Sequence, residues 1–92
     1  MAFTREEAAA RARADLAERL GLKESEITEA AVEDADFPDA NFGASLPDEM
    51  SAQMITPGWR IRLGANGQTY EYRANRNRLR LFNFEGAHHR VV

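Results

Sequence analysis

The stretch RIRLGANGQTYEYR, residues 60–73, decides the fold. Asn66-Gly67 is a strong two-residue hairpin signal, because a type I′ turn needs positive φ at both central positions and these residues tolerate it. With that turn set, Leu63 faces Tyr70, Arg62 faces Glu71 and Ile61 faces Tyr72. Apolar residues then share one face and charged residues the other. A second turn at Asn75-Arg76 places Tyr72 opposite Leu79, Glu71 opposite Arg80 and Tyr70 opposite Leu81. In that register Arg62, Glu71 and Arg80 form an ion row across the charged face; a turn at Arg76-Asn77 keeps the faces but changes the partners. Arg60 opposite Arg73 is a like-charge pair that needs an acid from elsewhere, and the acidic first half of the chain is the obvious source.

Upstream, Thr4 and Glu7 form a capping box, the threonine hydroxyl accepting from the Glu7 amide while Glu7 reaches back to the Thr4 amide. A helix starts there, with Ala9, Ala12, Leu16 and Leu20 as a narrow apolar stripe, and Gly21 supplies the left-handed residue that ends it. The small alanines suggest close approach to a sheet. Residues 27–35 mix β-branched residues with acids and read as a strand whose inward positions are Ala30 and Val32. From residue 36 to 53 periodicity disappears among Pro38, Gly43 and Pro47, leaving a loop far longer than the usual ~4–6 residues. The expected fold is α+β: a helix, about 4–20, packed on an antiparallel sheet of about four strands, about 28–35, 54–64, 68–74 and 78–83, with the long loop 36–53. The tail from Asn83 to Val92 has no assigned element, though Val91 and Val92 could extend the sheet edge.

Ninety-two residues suit a single domain, 1–92, with one thin core; a chain of this size buries roughly 60–65% of its unfolded surface. A composition 43% hydrophobic and 29% charged argues against intrinsic disorder. The absence of cysteine excludes disulfides and thiolate metal sites. The first residues lack the apolar stretch of a signal peptide, and no run spans a bilayer, so the chain as it stands is expected to be cytoplasmic, or exported if a leader has been removed. Net charge is −3, but residues 1–50 hold 13 acids and 5 bases while residues 51–92 hold 2 acids and 7 bases. Eleven of the twelve basic residues are arginine, which genome composition explains as readily as function does.

Phe37-Pro38-Asp39, Phe42-Gly43, Thr56-Pro57-Gly58-Trp59-Arg60-Ile61 and Tyr70-Glu71-Tyr72 together resemble a small uncharacterised bacterial domain family. Its pattern runs Trp-Pro-Asp, Leu-Gly, Thr-Pro-Gly-Tyr-Arg-Ile and Tyr-x-Tyr. The resemblance implies an often exported or lipid-anchored setting and brings no established activity. Where members carry a cysteine after the loop glycine this chain has Ala44, and where they carry Tyr-x-Tyr-His it has Arg73, so a disulfide or metal role does not transfer. A weaker likeness, in the order helix then antiparallel strands, is to PepSY-like and cystatin-like domains, some of them linked to protease inhibition.

No catalytic constellation stands out, and the chain is expected not to be an enzyme and to carry no cofactor. The loop offers Phe37, Asp39, Phe42, Leu46 and Met50 either as a plug over the core or as a binding lip. Asp34, Asp36, Asp39 and Asn41 resemble a calcium loop, but their spacing is wrong and Pro38 interrupts the curl, so no metal is expected. His88 and His89 point opposite ways on an extended chain and read as an incidental tail; none of Ser25, Ser45, Ser51, Thr28, Thr56 or Thr69 sits in a nucleophile motif. Arg60, Arg62, Arg73, Arg78 and Arg80 make a basic sheet face able to meet phosphates, yet Tyr70 and Tyr72 fall on the opposite parity, which argues against nucleic acid. The expected function is a non-catalytic protein-interaction or peptide-binding module, with inhibition or regulation as its use, acting through the loop and an exposed strand edge. The alternative is a small-ligand or enzymatic pocket between the helix and loop 36–53. No membrane span is expected, and the oligomeric state is left open.

Overall fold

The computed structural model describes residues 2–50 and 52–92; Ser51, one of the loop hydroxyls, lies outside them. Helix α1, Arg5–Leu20, begins at the capping box: Thr4 accepts from the Glu7 amide at 3.1 Å and donates its own amide to the Glu7 carboxylate at 2.9 Å. It ends in a Schellman motif in which Gly21, at φ 67°, and Leu22 donate back to Glu18 and Ala17. A 3₁₀ turn at Glu24–Glu26 leads into an antiparallel meander. Its strands are β1 (Thr28–Phe37), β2 (Thr56–Ala65), β3 (Gln68–Ala74), β4 (Leu79–Phe84) and β5 (Ala87–Arg90), neighbours in that order.

The sheet has five strands rather than about four, because the tail folds back. Glu85 and Gly86 both take positive φ, making a tight turn, and Asn83, also at positive φ, sits where the register slips between Leu81 and Phe84. His88 and His89 therefore belong to a strand rather than an incidental tail. Val91 and Val92 do extend the pairing, both donating to the Leu79 carbonyl. Leu63–Tyr70, Arg62–Glu71 and Ile61–Tyr72 pair as the Asn66-Gly67 turn requires. The β3–β4 register is that of a turn at Arg76-Asn77: Tyr72 lies opposite Leu81, Arg73 opposite Arg80 and Glu71 opposite Phe82. The row Arg62–Glu71–Arg80 therefore does not form, because Asn75 accepts the amides of Asn77 and Arg78 on its side-chain oxygen and becomes the first corner of the turn.

α1 lies over β2 and β4 and buries Ala8, Ala9, Ala12, Leu16 and Ala17 against Ile61, Leu63, Tyr72, Leu79 and Leu81. Alanines bring the helix close to the sheet, while Leu20, expected in the stripe, is only half-buried. The Tyr72 hydroxyl donates to Asp15 at 2.7 Å, and Asp15 also takes Arg19 Nε at 2.7 Å, so a polar pin fastens helix to sheet inside the apolar layer. Burial, with Asp15 alongside, pushes the Tyr72 phenol well above its usual range. On β1 the register slips between Glu29 and Ala31, leaving Ala30 exposed rather than inward, and Val32 is half-buried.

Candidate functional site

The loop 38–55 lies on the sheet face opposite α1. Side chains alternate along a strand, so Arg60, Arg73 and Arg80, which sit side by side across β2, β3 and β4 with Arg90 of β5 next to Arg80, all share that face. Four adjacent guanidinium groups repel one another unless acids and carbonyls are brought to them. The loop and β3 supply both. Arg73 donates to the Phe42 carbonyl at 2.8 Å, Arg78 to the Ala40 carbonyl at 2.7 Å and to the Asn41 side-chain oxygen, and Arg80 to the Ala44 carbonyl at 3.1 Å. Glu49 takes both terminal nitrogens of Arg80 and also Arg90, at 2.8 Å. Within the sheet, Glu71 lies between Arg60, Arg62 and Arg73, at 3.4, 3.6 and 2.7 Å, and Arg62 also reaches Glu33.

Aromatic rings fill the space between these charges. Phe37 and Phe42 are fully buried with ring centroids 5.4 Å apart, and the Arg73 guanidinium sits 3.6 Å from the Phe82 ring centroid. Gly43 can accept this approach because a Cβ there would lie 2.9 Å from Arg73, and a Cβ on Gly58 would run into the Ala74 carbonyl. Asp39 makes the loop's tight turn, its carboxylate accepting the amides of Asn41 and Gly43 at 2.9 and 3.0 Å. Asn41, almost fully buried, adds contacts to Ser45 and the Met50 carbonyl.

Hydrogen bonds from Arg80, opposed by burial and helped by the Leu46 amide and Arg90, hold the Glu49 carboxyl well below the usual carboxylate range. Burial, with Arg80 beside it, lowers the Arg78 pKa. His88 stacks on Phe82 at 4.8 Å and accepts from the Asn83 amide at 2.9 Å; burial, with Arg73, His89 and Arg80 near, holds it below its ordinary value.

Of the loop residues singled out from sequence, Phe37 and Phe42 are core of this second layer, Asp39 shapes its turn and Leu46 is half-buried. Met50 is 98% exposed. Of the arginines, Arg73, Arg78 and Arg80 are bound under the loop, and Arg60 and Arg62 are paired with acids. The helix and the loop cover opposite faces, so the sheet itself stands between them where a shared pocket was envisaged. Asp34 and Asp36 belong to β1 while Asp39 and Asn41 serve the loop turn; among the described residues no three side chains are placed to hold a metal ion. The pairing of Glu49 with the sheet had no local signal in the sequence, because its arginine partners are 31 and 41 residues away.

Ground is left open at β1. This ten-residue edge strand pairs only with β2, and its outer side meets arginines from α1: Arg13 donates to the Ile27 carbonyl just before it at 2.5 Å, and Arg5 to the Val32 carbonyl. In an antiparallel strand the N–H and C=O of one residue point to the same side. Val32, and with it Asp34 and Asp36, therefore turns its main chain away from β2; beyond Val32 no group among the described residues meets that edge. Next to that edge, over the end of the sheet from β1 across β2 to the β3–β4 turn, lies an open groove of about 540 Å³ lined by Asp34, Asp36, Pro57, Trp59 and Arg76. Met54 and Ile55, expected to begin β2, precede it instead and are 55% and 71% exposed.

A family model described as a domain of unknown function (DUF8738) matches residues 9–82, and the chain belongs to that family. The match takes in most of α1, the loop and the strands through Phe82 of β4. No curated protein and no solved structure matches the chain. Among the described residues no helix is long and apolar enough to cross a membrane.

Proposed function

We propose that this member of the family is a non-catalytic protein-interaction module that takes an extended peptide along the C-terminal half of β1. The observation that carries this reading is the coincidence, at Asp34 and Asp36, of an unpaired strand edge with an open groove containing Trp59. Edge pairing supplies main-chain affinity, and the groove takes alternate side chains of the added strand. Exposed Met54 and Ile55 beside the same end of the sheet offer apolar contact. The loop's part in this reading is indirect: its aromatic and polar groups are spent on the arginine face and stiffen the strands that frame the edge. A small ligand in the same groove is the second reading, favoured by its volume.

Trp59 is the only tryptophan, so its fluorescence reports on the groove. A threonine-rich peptide of β propensity is expected to change that fluorescence saturably. The same peptide N-methylated at alternate residues on its pairing side is expected to have no effect, since methylation removes the donors that edge addition needs. Equal responses to both peptides would rule out strand addition.

A further inference from the structure

The acids on β1 and the placement of Arg5 say what chemistry the added strand should carry. Glu29, Glu33, Asp34 and Asp36 put four carboxylates in ten residues of edge strand. Asp34 has a side chain 84% exposed, its nearest cation, Arg5, standing 4.0 Å away. A smaller trough of about 300 Å³, lined by Arg5, Glu6, Ala9, Glu29 and Val32, runs beside the same strand. Across the two cavities the lining acids are Glu6, Glu29, Asp34 and Asp36, and the lining bases are Arg5 and Arg76. The balance is acidic.

Arg5 already behaves as an arginine of an incoming strand would. Its guanidinium donates to the outward carbonyl of Val32 and lies beside Asp34. The next outward positions, Asp34 and Asp36, offer a carbonyl, an amide and a carboxylate each, with the Trp59 ring lining the same groove. An arginine or lysine there finds the carboxylate partner that Arg5 finds, with an aromatic surface alongside. A second copy of this chain adding through its own β1 would set four carboxylates against four, a repulsive arrangement.

Resting on the strand-addition reading, we infer that the partner is a basic extended segment, with arginine or lysine at alternate positions, whose cationic side chains seat at Asp34 and Asp36 beside Trp59. Three synthetic ten-residue peptides test this on the full chain: alternating Arg-Thr, Gln-Thr and Glu-Thr. Trp59 fluorescence is expected to report tightest binding for Arg-Thr, intermediate for Gln-Thr and none for Glu-Thr. The Arg-Thr affinity should fall with added salt and drop roughly ten-fold in a D34N/D36N double variant that keeps its melting temperature. Equal binding of the Arg-Thr and Gln-Thr peptides, or unchanged affinity in D34N/D36N, would overturn the inference while leaving strand addition standing. Binding of none of the three would overturn both.

Discussion

Glu49 ties the loop to two strands of the sheet, through Arg80 of β4 and Arg90 of β5. It neutralises Arg80, which is 1% exposed, and reaches Arg90 as well. Removing one partner of a buried pair leaves the other charge uncompensated and costs about 3–5 kcal/mol. E49Q is therefore expected to lower stability by about 3 kcal/mol, read as a shift of the urea midpoint. The carboxyl is depressed in the fold, so its contribution is complete above its ordinary value of 4.5 and is lost as pH falls through the folded value. The acid limb of the stability profile below pH 4.5 should accordingly flatten in E49Q. His88 acts in the same direction in a separate window: its folded pKa lies below 6.5, so its contribution is complete above 6.5 and fades as pH falls further. Retention of the full acid limb in E49Q would show that Glu49 is not its source. Nothing near Glu49 in sequence marks this role. The one hint is global, the segregation of acids into the first half and arginines into the second.

Elements were legible where their signals are local. The Thr4 capping box and Gly21 bound the helix to within a residue, and Asn66-Gly67 sets the β2–β3 register. The β3–β4 register was harder, because Asn75 is itself a turn former and competes with Arg76-Asn77 for the centre; its side chain decides by accepting two amides. β5 escaped because Glu85 at positive φ is an uncommon residue for a tight turn, and the Asn83 irregularity breaks the alternation. The loop is legible as long and as a possible plug carrying Phe37 and Phe42, but its place on the arginine face is not, since its bonds run from arginine side chains to loop carbonyls more than 30 residues away. As an element it behaves as core, and Phe42, fully buried against Phe37, tests that directly. Phe42→Ser should cost about 3–5 kcal/mol, lowering the melting temperature by more than 10 °C for a domain of this size. An unchanged melting temperature would return the loop to the status of a free lip.

On the scale of the whole molecule, one sheet carries two dissimilar coverings and an acidic edge strand left partly uncovered. The helix side is an alanine-rich apolar contact; the loop side is an arginine–carbonyl–aromatic contact; the margin is β1 beyond the reach of Arg5. The basic face, legible as a stripe of arginines, is mostly turned inward by the loop. The acidic edge was legible only as a strand with unusual charges, because its openness depends on where the helix starts and on which side β1 pairs. The account stands on that margin being the surface that meets a partner while the loop stays closed. Amide chemical-shift mapping of the labelled chain titrated with the Arg-Thr peptide tests it most directly. The account predicts perturbations concentrated at residues 33–37 and the Trp59 indole, with residues 40–49 unmoved. Perturbations concentrated in the loop, with β1 silent, would contradict it.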